Sequence, residues 1–123
     1  MIRGIGVDAV DVERFRTALT RTPSMRERLF TTTELAELAE RADQVPSLAV
    51  RFAAREAVMK AMGVGIGAFG FHDVWVECEE SGRPILRVTA AALDLSRERG
   101  IGAWHVSLTH TDSTAIAYVV ATD

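Results

Sequence analysis

Residues 2 to 8, IRGIGVD, interleave apolar side chains with glycine, a pattern that predicts a short strand approached closely by another segment. Asp8 closes that strand. From Asp11 to Thr20 the period changes: Val12, Phe15 and Leu19 recur at helical spacing, with Asp11 placed to cap. Pro23 opens a further short helical turn. Phe30-Thr31-Thr32-Thr33-Glu34-Leu35 is a helix start, with Thr31 and Glu34 as a capping box and Phe30 stapling to Leu35; this helix runs to about Arg41. Residues 43 to 46 are a break. Residues 47 to 62, SLAVRFAAREAVMKAM, carry the strongest helical pattern, with Ser47 as the expected cap and Gly63 beyond the C-terminus. Apolar residues go almost round this helix, which predicts burial on most sides.

The second half alternates. Asp73 to Cys78 and Ile85 to Val88 read as two strands around the turn Ser81-Gly82-Arg83-Pro84. Thr89 is the expected cap of a helix that reaches Arg99 and ends at Gly100. Trp104 to Thr109 and Thr114 to Ala121 form a terminal hairpin, with His105, Ser107 and Thr109 on one face of its first strand. Helices mixed with antiparallel hairpins predict a small α+β domain, one unit over 1–123, with an antiparallel sheet packed on a central buried helix.

Composition narrows the class. The chain has 123 residues, 48% hydrophobic and 25% charged, the balance of a globular protein and not of a disordered one. No apolar run approaches the length of a membrane span, and no apolar leader follows Met1, so neither membrane nor secretion is expected. Cys78 is the single cysteine, which excludes an internal disulfide and fits the reducing cytoplasm. A core this small leaves room for oligomerisation as a source of stability. Net charge is −3, which argues against nucleic acid as partner. That charge is uneven. Between residues 14 and 29, Arg14, Arg16, Arg21, Arg26 and Arg28 face Glu27 alone, and the remainder of the chain is acidic. A basic arm on an acidic protein suits an acidic partner, or is simply a solvated helix face.

Chemistry concentrates on the long helix. Thirteen of the fourteen basic residues are arginine, and Lys60 is the only lysine. Where arginine serves as the generic cation, one lysine marks a position suited to a compact ammonium. Glu56 and Lys60 are four apart and share a helix face; an ordinary i,i+4 ion pair explains that equally well. Asp8 is either a helix-entry cap or, opposite Glu56, half of an oxygen-rich Mg²⁺ site. Gly65-Ile66-Gly67-Ala68-Phe69-Gly70 matches G-x-G-x-x-G, but it follows a helix and precedes a strand, the reverse of the dinucleotide fingerprint, and it lacks the Lys-Ser/Thr of a Walker A loop. A glycine loop that admits a phosphate stays open. His105, Ser107, His110 and Asp112 invite a hydrolase triad, yet Ser107 lies in no nucleophile elbow. One cysteine and three scattered histidines do not make a structural zinc site.

Three segments together carry a resemblance. Gly4-Ile5-Gly6-Val7-Asp8, Arg51-Phe52-Ala53-Ala54-Arg55-Glu56-Ala57-Val58-Met59-Lys60-Ala61 and Trp104-His105-Val106-Ser107-Leu108-Thr109-His110-Thr111, in this order, resemble the holo-acyl-carrier-protein synthases among the 4′-phosphopantetheinyl transferases. The likeness extends over nearly the whole chain. It implies transfer of the phosphopantetheine arm of coenzyme A to a serine of an acyl carrier protein in fatty acid biosynthesis, with release of adenosine 3′,5′-bisphosphate. It implies Asp8, Glu56 and Lys60 as catalytic residues, with Mg²⁺ held by Asp8 and Glu56. Arg51, Arg55, Lys60, Gly63, Gly65, Gly67, Pro84, His110 and Thr111 are implied around coenzyme A. Arg14, Arg21 and Arg28 are implied for the carrier, which matches the basic arm. A homotrimer with active sites between subunits is implied as well. Position 55 departs from the family's usual lysine: arginine keeps the charge but cannot donate a proton at neutral pH. The rival expectation is a catalytically silent carrier-binding or coenzyme-A-binding module on the same fold; a hydrolase using Ser107 stands behind both.

Overall fold

A computed structural model describes residues 1–123. The chain runs β1 (Ile2–Asp11), α1 (Val12–Arg21), α2 (Met25–Leu29), α3 (Thr32–Glu37), α4 (Val45–Met62), a 3₁₀ turn (Phe71–Asp73), β2 (Val74–Cys78), β3 (Pro84–Val88), α5 (Ala90–Glu98), β4 (Ala103–His110) and β5 (Thr114–Thr122). The architecture is α+β, as the mixture of periods predicts. The strands divide into an antiparallel sheet in the order β1-β5-β4 and a separate β2-β3 hairpin.

Helix α4 is the axis of the fold. It lies on the three-stranded sheet, and Ala53, Ala54, Ala57, Val58 and Met59 are buried in the cluster it forms with β5 and the hairpin. A second apolar cluster joins Val12, Phe15 and Leu19 of α1 to Leu48 and Ala49 at the other end of α4. The contact between β1 and α4 depends on two glycines. A Cβ on Gly6 would lie 1.8 Å from the Ala57 carbonyl oxygen, and one on Gly4 2.1 Å from that of Ala61. Only glycine permits so close a backbone approach. This seats Val7 and Asp8 over the last turns of α4.

The predicted caps hold in part. The Asp11 side chain accepts from the Arg14 amide, and Thr31 and Glu34 form the reciprocal capping box. Gly63 ends α4 in the left-handed region, with φ 70°. Two caps are corrected. Helix α4 begins at Val45, not at Ser47, because the Asp43 carboxylate already accepts from the Val45 amide; Ser47 is buried and accepts from Arg41. Thr89 precedes α5 as expected, but its hydroxyl donates to the Asp73 carbonyl and caps nothing.

Candidate active site

At the β1–α4 seam the structure brings together Asp8, Glu56 and Lys60. Lys60 Nζ donates to Asp8 Oδ1 at 2.9 Å and to the Val7 carbonyl at 3.0 Å. The ion pair of Lys60 therefore crosses to the strand, and the simple i,i+4 pair with Glu56 does not form. Asp8 and Glu56 line one cavity of about 480 Å³ with Arg14, Phe15, Met25 and Phe52. The carboxyl of Glu56 is held above its ordinary range, first by partial burial and then by the charge of Asp8, with Lys60 opposing. A carboxylate pair of this kind can hold a hard cation, and the raised Glu56 carboxyl is the better proton acceptor for it. Both carboxylates are hard oxygen donors, and no third histidine, cysteine or carboxylate joins them. That donor set fits Mg²⁺, which takes one or two carboxylates and keeps water in its other positions.

Arg51, Pro84 and His110 meet elsewhere. They line a smaller cleft, about 230 Å³, together with Arg41, Ser47 and Cys78. None of these residues lines the Asp8–Glu56 cavity. Arg51 and Glu56 leave α4 on different faces, so one chain presents the two groups in two directions. Arg51 is itself largely committed, donating to the Val76 carbonyl at 3.1 Å and to Glu37 at 2.9 Å.

Arg55 turns inward. Its side chain is fully buried. It pairs with both carboxylate oxygens of Glu34, donates from Nε to the Phe71 carbonyl at 2.8 Å, and lies 5.2 Å from the Phe30 ring centroid. The guanidinium expected beside coenzyme A is thus enclosed by protein partners within this chain. The Glu34 of the predicted capping box is the buried partner, a second role that local sequence does not disclose.

Gly63, Gly65 and Gly67 form an exposed loop after α4. Gly63 and Gly67 adopt positive φ, whereas Gly65 does not, and a Cβ on Gly65 would meet no atom of the chain. Arg99 fixes the base of this loop by donating to the Met62 carbonyl at 2.8 Å. Thr111 shapes the β4–β5 turn, where its hydroxyl accepts from the Thr114 amide at 3.1 Å. Arg14, Arg21 and Arg28 are exposed, and the ion pairs of the basic arm are made by Arg16 instead. Arg14 reaches the rim of the Asp8–Glu56 cavity and, with Arg21, flanks a second groove on α1. Ser107 stands opposite Tyr118 on the open face of the sheet, and the nearby His105 contacts the Thr122 hydroxyl, so no nucleophile–base pair is assembled.

Sequence reasoning passed over several lining residues. Phe52 and Met25 give the carboxylate cavity its apolar wall, but each looks in sequence like ordinary core. Arg41 enters the second cleft from a loop, and nothing local marks it.

Residues 4–119 match the model of the 4′-phosphopantetheinyl transferase superfamily. The chain belongs to this superfamily. It is 46% identical over 121 residues to a holo-[acyl-carrier-protein] synthase of Streptomyces avermitilis, covering 98% of this chain and 97% of the relative. The crystal structure of the Neisseria meningitidis holo-[acyl-carrier-protein] synthase superposes with a TM-score of 0.90 at 34% identity, covering both chains completely. The Bacillus anthracis synthase, solved in complex with CoA (3′,5′-ADP), gives a TM-score of 0.82 at 31% identity over 98% of this chain and 96% of its own. These full-length likenesses make the chain an enzyme of the holo-acyl-carrier-protein synthase group. No helix is long and apolar enough to cross a membrane.

Proposed function

We propose that this chain transfers the 4′-phosphopantetheine arm of coenzyme A to a serine of apo acyl carrier protein, in a Mg²⁺-dependent reaction that releases adenosine 3′,5′-bisphosphate. The observation that carries this reading is the meeting of Asp8, Glu56 and Lys60 at the β1–α4 seam, two carboxylates and one ammonium beside an open cavity. Asp8 and Glu56 would hold the ion, which supplies charge neutralisation at the diphosphate. Glu56, with its raised affinity for a proton, takes the serine proton directly or through water. Lys60 is a half-exposed donor at the surface, placed to steady the charge that develops on the leaving phosphate. The Gly63–Gly67 loop borders the same end of α4 and leaves space for a phosphate.

The two separate clefts support a site shared between subunits. The Asp8–Glu56 cavity and the Arg51–Pro84–His110 cleft would be joined when neighbouring copies pack. The open face of the three-stranded sheet offers the contact: Ile5, Val7, Ile116 and Tyr118 are large, apolar and exposed there. We assign this face to a homotrimer and the exposed Arg14, Arg21 and Arg28 to an acidic carrier surface. Reducing cytoplasm and fatty acid biosynthesis complete the proposal.

Intact-mass spectrometry tests the reaction. Apo acyl carrier protein is incubated with the enzyme and coenzyme A, with Mg²⁺ or with excess EDTA. A phosphopantetheine mass gain only with metal is expected. Binding of coenzyme A without transfer to several apo carriers would favour a silent binding module. Glu56→Gln should abolish transfer and leave the fold intact.

A further inference from the structure

We propose that Lys60 is a built-in counter-cation for Asp8, so that a divalent cation binds well only when a diphosphate-bearing substrate arrives to draw the ammonium away. With Asp8 and Glu56 taken as the metal ligands, on which this proposal rests, Lys60 is the group the metal must displace. The ammonium donates to Asp8 Oδ1 at 2.9 Å and to the Val7 carbonyl at 3.0 Å. It makes these contacts across the seam although Glu56 lies one turn back on its own helix. The fold imposes this choice. Gly4 and Gly6 hold β1 against the backbone of α4, and that contact sets the Val7 carbonyl and Asp8 within reach of residue 60.

Exposure separates the two partners. The Asp8 side chain is only 16% exposed, and that of Lys60 is 55% exposed. The carboxylate stays; the ammonium has open solvent to swing into. Charge supplies the rest of the argument. Asp8, Glu56 and Lys60 together carry one net negative charge. A dication entering alone would have to share Asp8 with an ammonium, and like charges at contact distance repel. A diphosphate brings negative charge for both cations, frees Asp8 for the metal and gives Lys60 a new partner. Metal and substrate then enter as one unit.

The test measures metal binding by the nucleotide-free protein. Mn²⁺ is titrated into the full chain, and free Mn²⁺ is read by its electron paramagnetic resonance signal. Wild type, Lys60→Gln, Lys60→Arg, Asp8→Asn and Glu56→Gln are compared, with circular dichroism confirming the fold of each. Lys60→Gln should bind Mn²⁺ about thirtyfold tighter than wild type, the worth of one unit charge facing a dication at about 4 Å in a water-like medium. Lys60→Arg keeps the cation and should return to the wild-type value. Asp8→Asn and Glu56→Gln should bind more weakly than wild type. If those two carboxylate variants lose binding while Lys60→Gln gains none, the counter-cation role is wrong and the metal ligands stand. If neither carboxylate variant changes binding, the metal assignment itself fails and takes this inference with it.

Discussion

Replacing Arg55 with methionine should lower folding stability by about 3–5 kcal/mol, the cost of removing one partner from a buried ion pair. Methionine is a long, adaptable side chain, so the loss comes from charge and hydrogen bonding more than from a cavity. The guanidinium donates to both oxygens of Glu34, to the Phe71 carbonyl and to the Arg51 carbonyl. Glu34 is completely buried and also accepts from the amides of Thr31 and Val76. Without Arg55 its nearest cation is Arg51, at 4.0 Å and already engaged with Glu37. A small domain has roughly 5–15 kcal/mol of stability in all, so the variant should approach its folding limit. Urea denaturation followed by circular dichroism measures the loss. The double variant Glu34→Gln, Arg55→Met should recover at least about 1 kcal/mol of it, because the uncompensated charge is gone, although the single amide oxygen can accept from only one of the Thr31 and Val76 amides, which meet different oxygens of Glu34. Arg55→Lys should fall between: one ammonium cannot span two carboxylate oxygens and the Phe71 carbonyl together. A loss below about 1 kcal/mol, or a strictly additive double variant, would refute the reasoning. A raised KM for coenzyme A at unchanged stability would return Arg55 to the ligand site.

Other expectations follow from single contacts. Gly6→Ala forces a methyl to within 1.8 Å of the Ala57 carbonyl, so it should destabilise the fold by at least about 1–3 kcal/mol and displace Asp8; a normal urea midpoint with normal transfer would contradict the packing argument. Arg14→Ala should raise KM for the carrier more than for coenzyme A, and steady-state kinetics with each substrate varied will show whether the order is reversed. Tyr118→Arg should shift the assembly toward monomer in analytical ultracentrifugation and reduce turnover with it; an unchanged oligomer would remove the sheet face from the interface. The Asp43 carboxyl is held below its usual range, chiefly by its hydrogen bonds from Arg16 and then by that from the Val45 amide. The contribution of Asp43 to stability is therefore present above the ordinary aspartate range and lost as pH falls through its lowered value. Asp43→Asn should flatten that part of the acid-denaturation curve, and an unaltered acid limb would show that the pair contributes nothing there.

Local order in this chain is legible without its tertiary structure. The capping box at Thr31 and Glu34, the Asp11 cap, the left-handed Gly63 and the turn at Thr111 are decided by residues within a few positions of each other, which is the range of backbone hydrogen bonding. The burial of most of α4 is legible too, since its apolar residues go almost round it. The glycines of β1 announce a close neighbour, but not which one. That neighbour, and everything that follows from it, is a long-range fact. Residues 8 and 60 are brought into contact across the seam because β1 pairs with β5 at the far end of the chain and both rest on α4. The same long-range packing turns Glu34 from a helix cap into the buried partner of Arg55, and turns Arg55 from an apparent phosphate ligand into part of the core. Charges on one helix look alike in sequence. Only the surfaces packed around them decide which stay at a site, as Glu56 and Lys60 do, and which are enclosed, because the cost of burying an ion is met or not met by partners that lie far away in the chain.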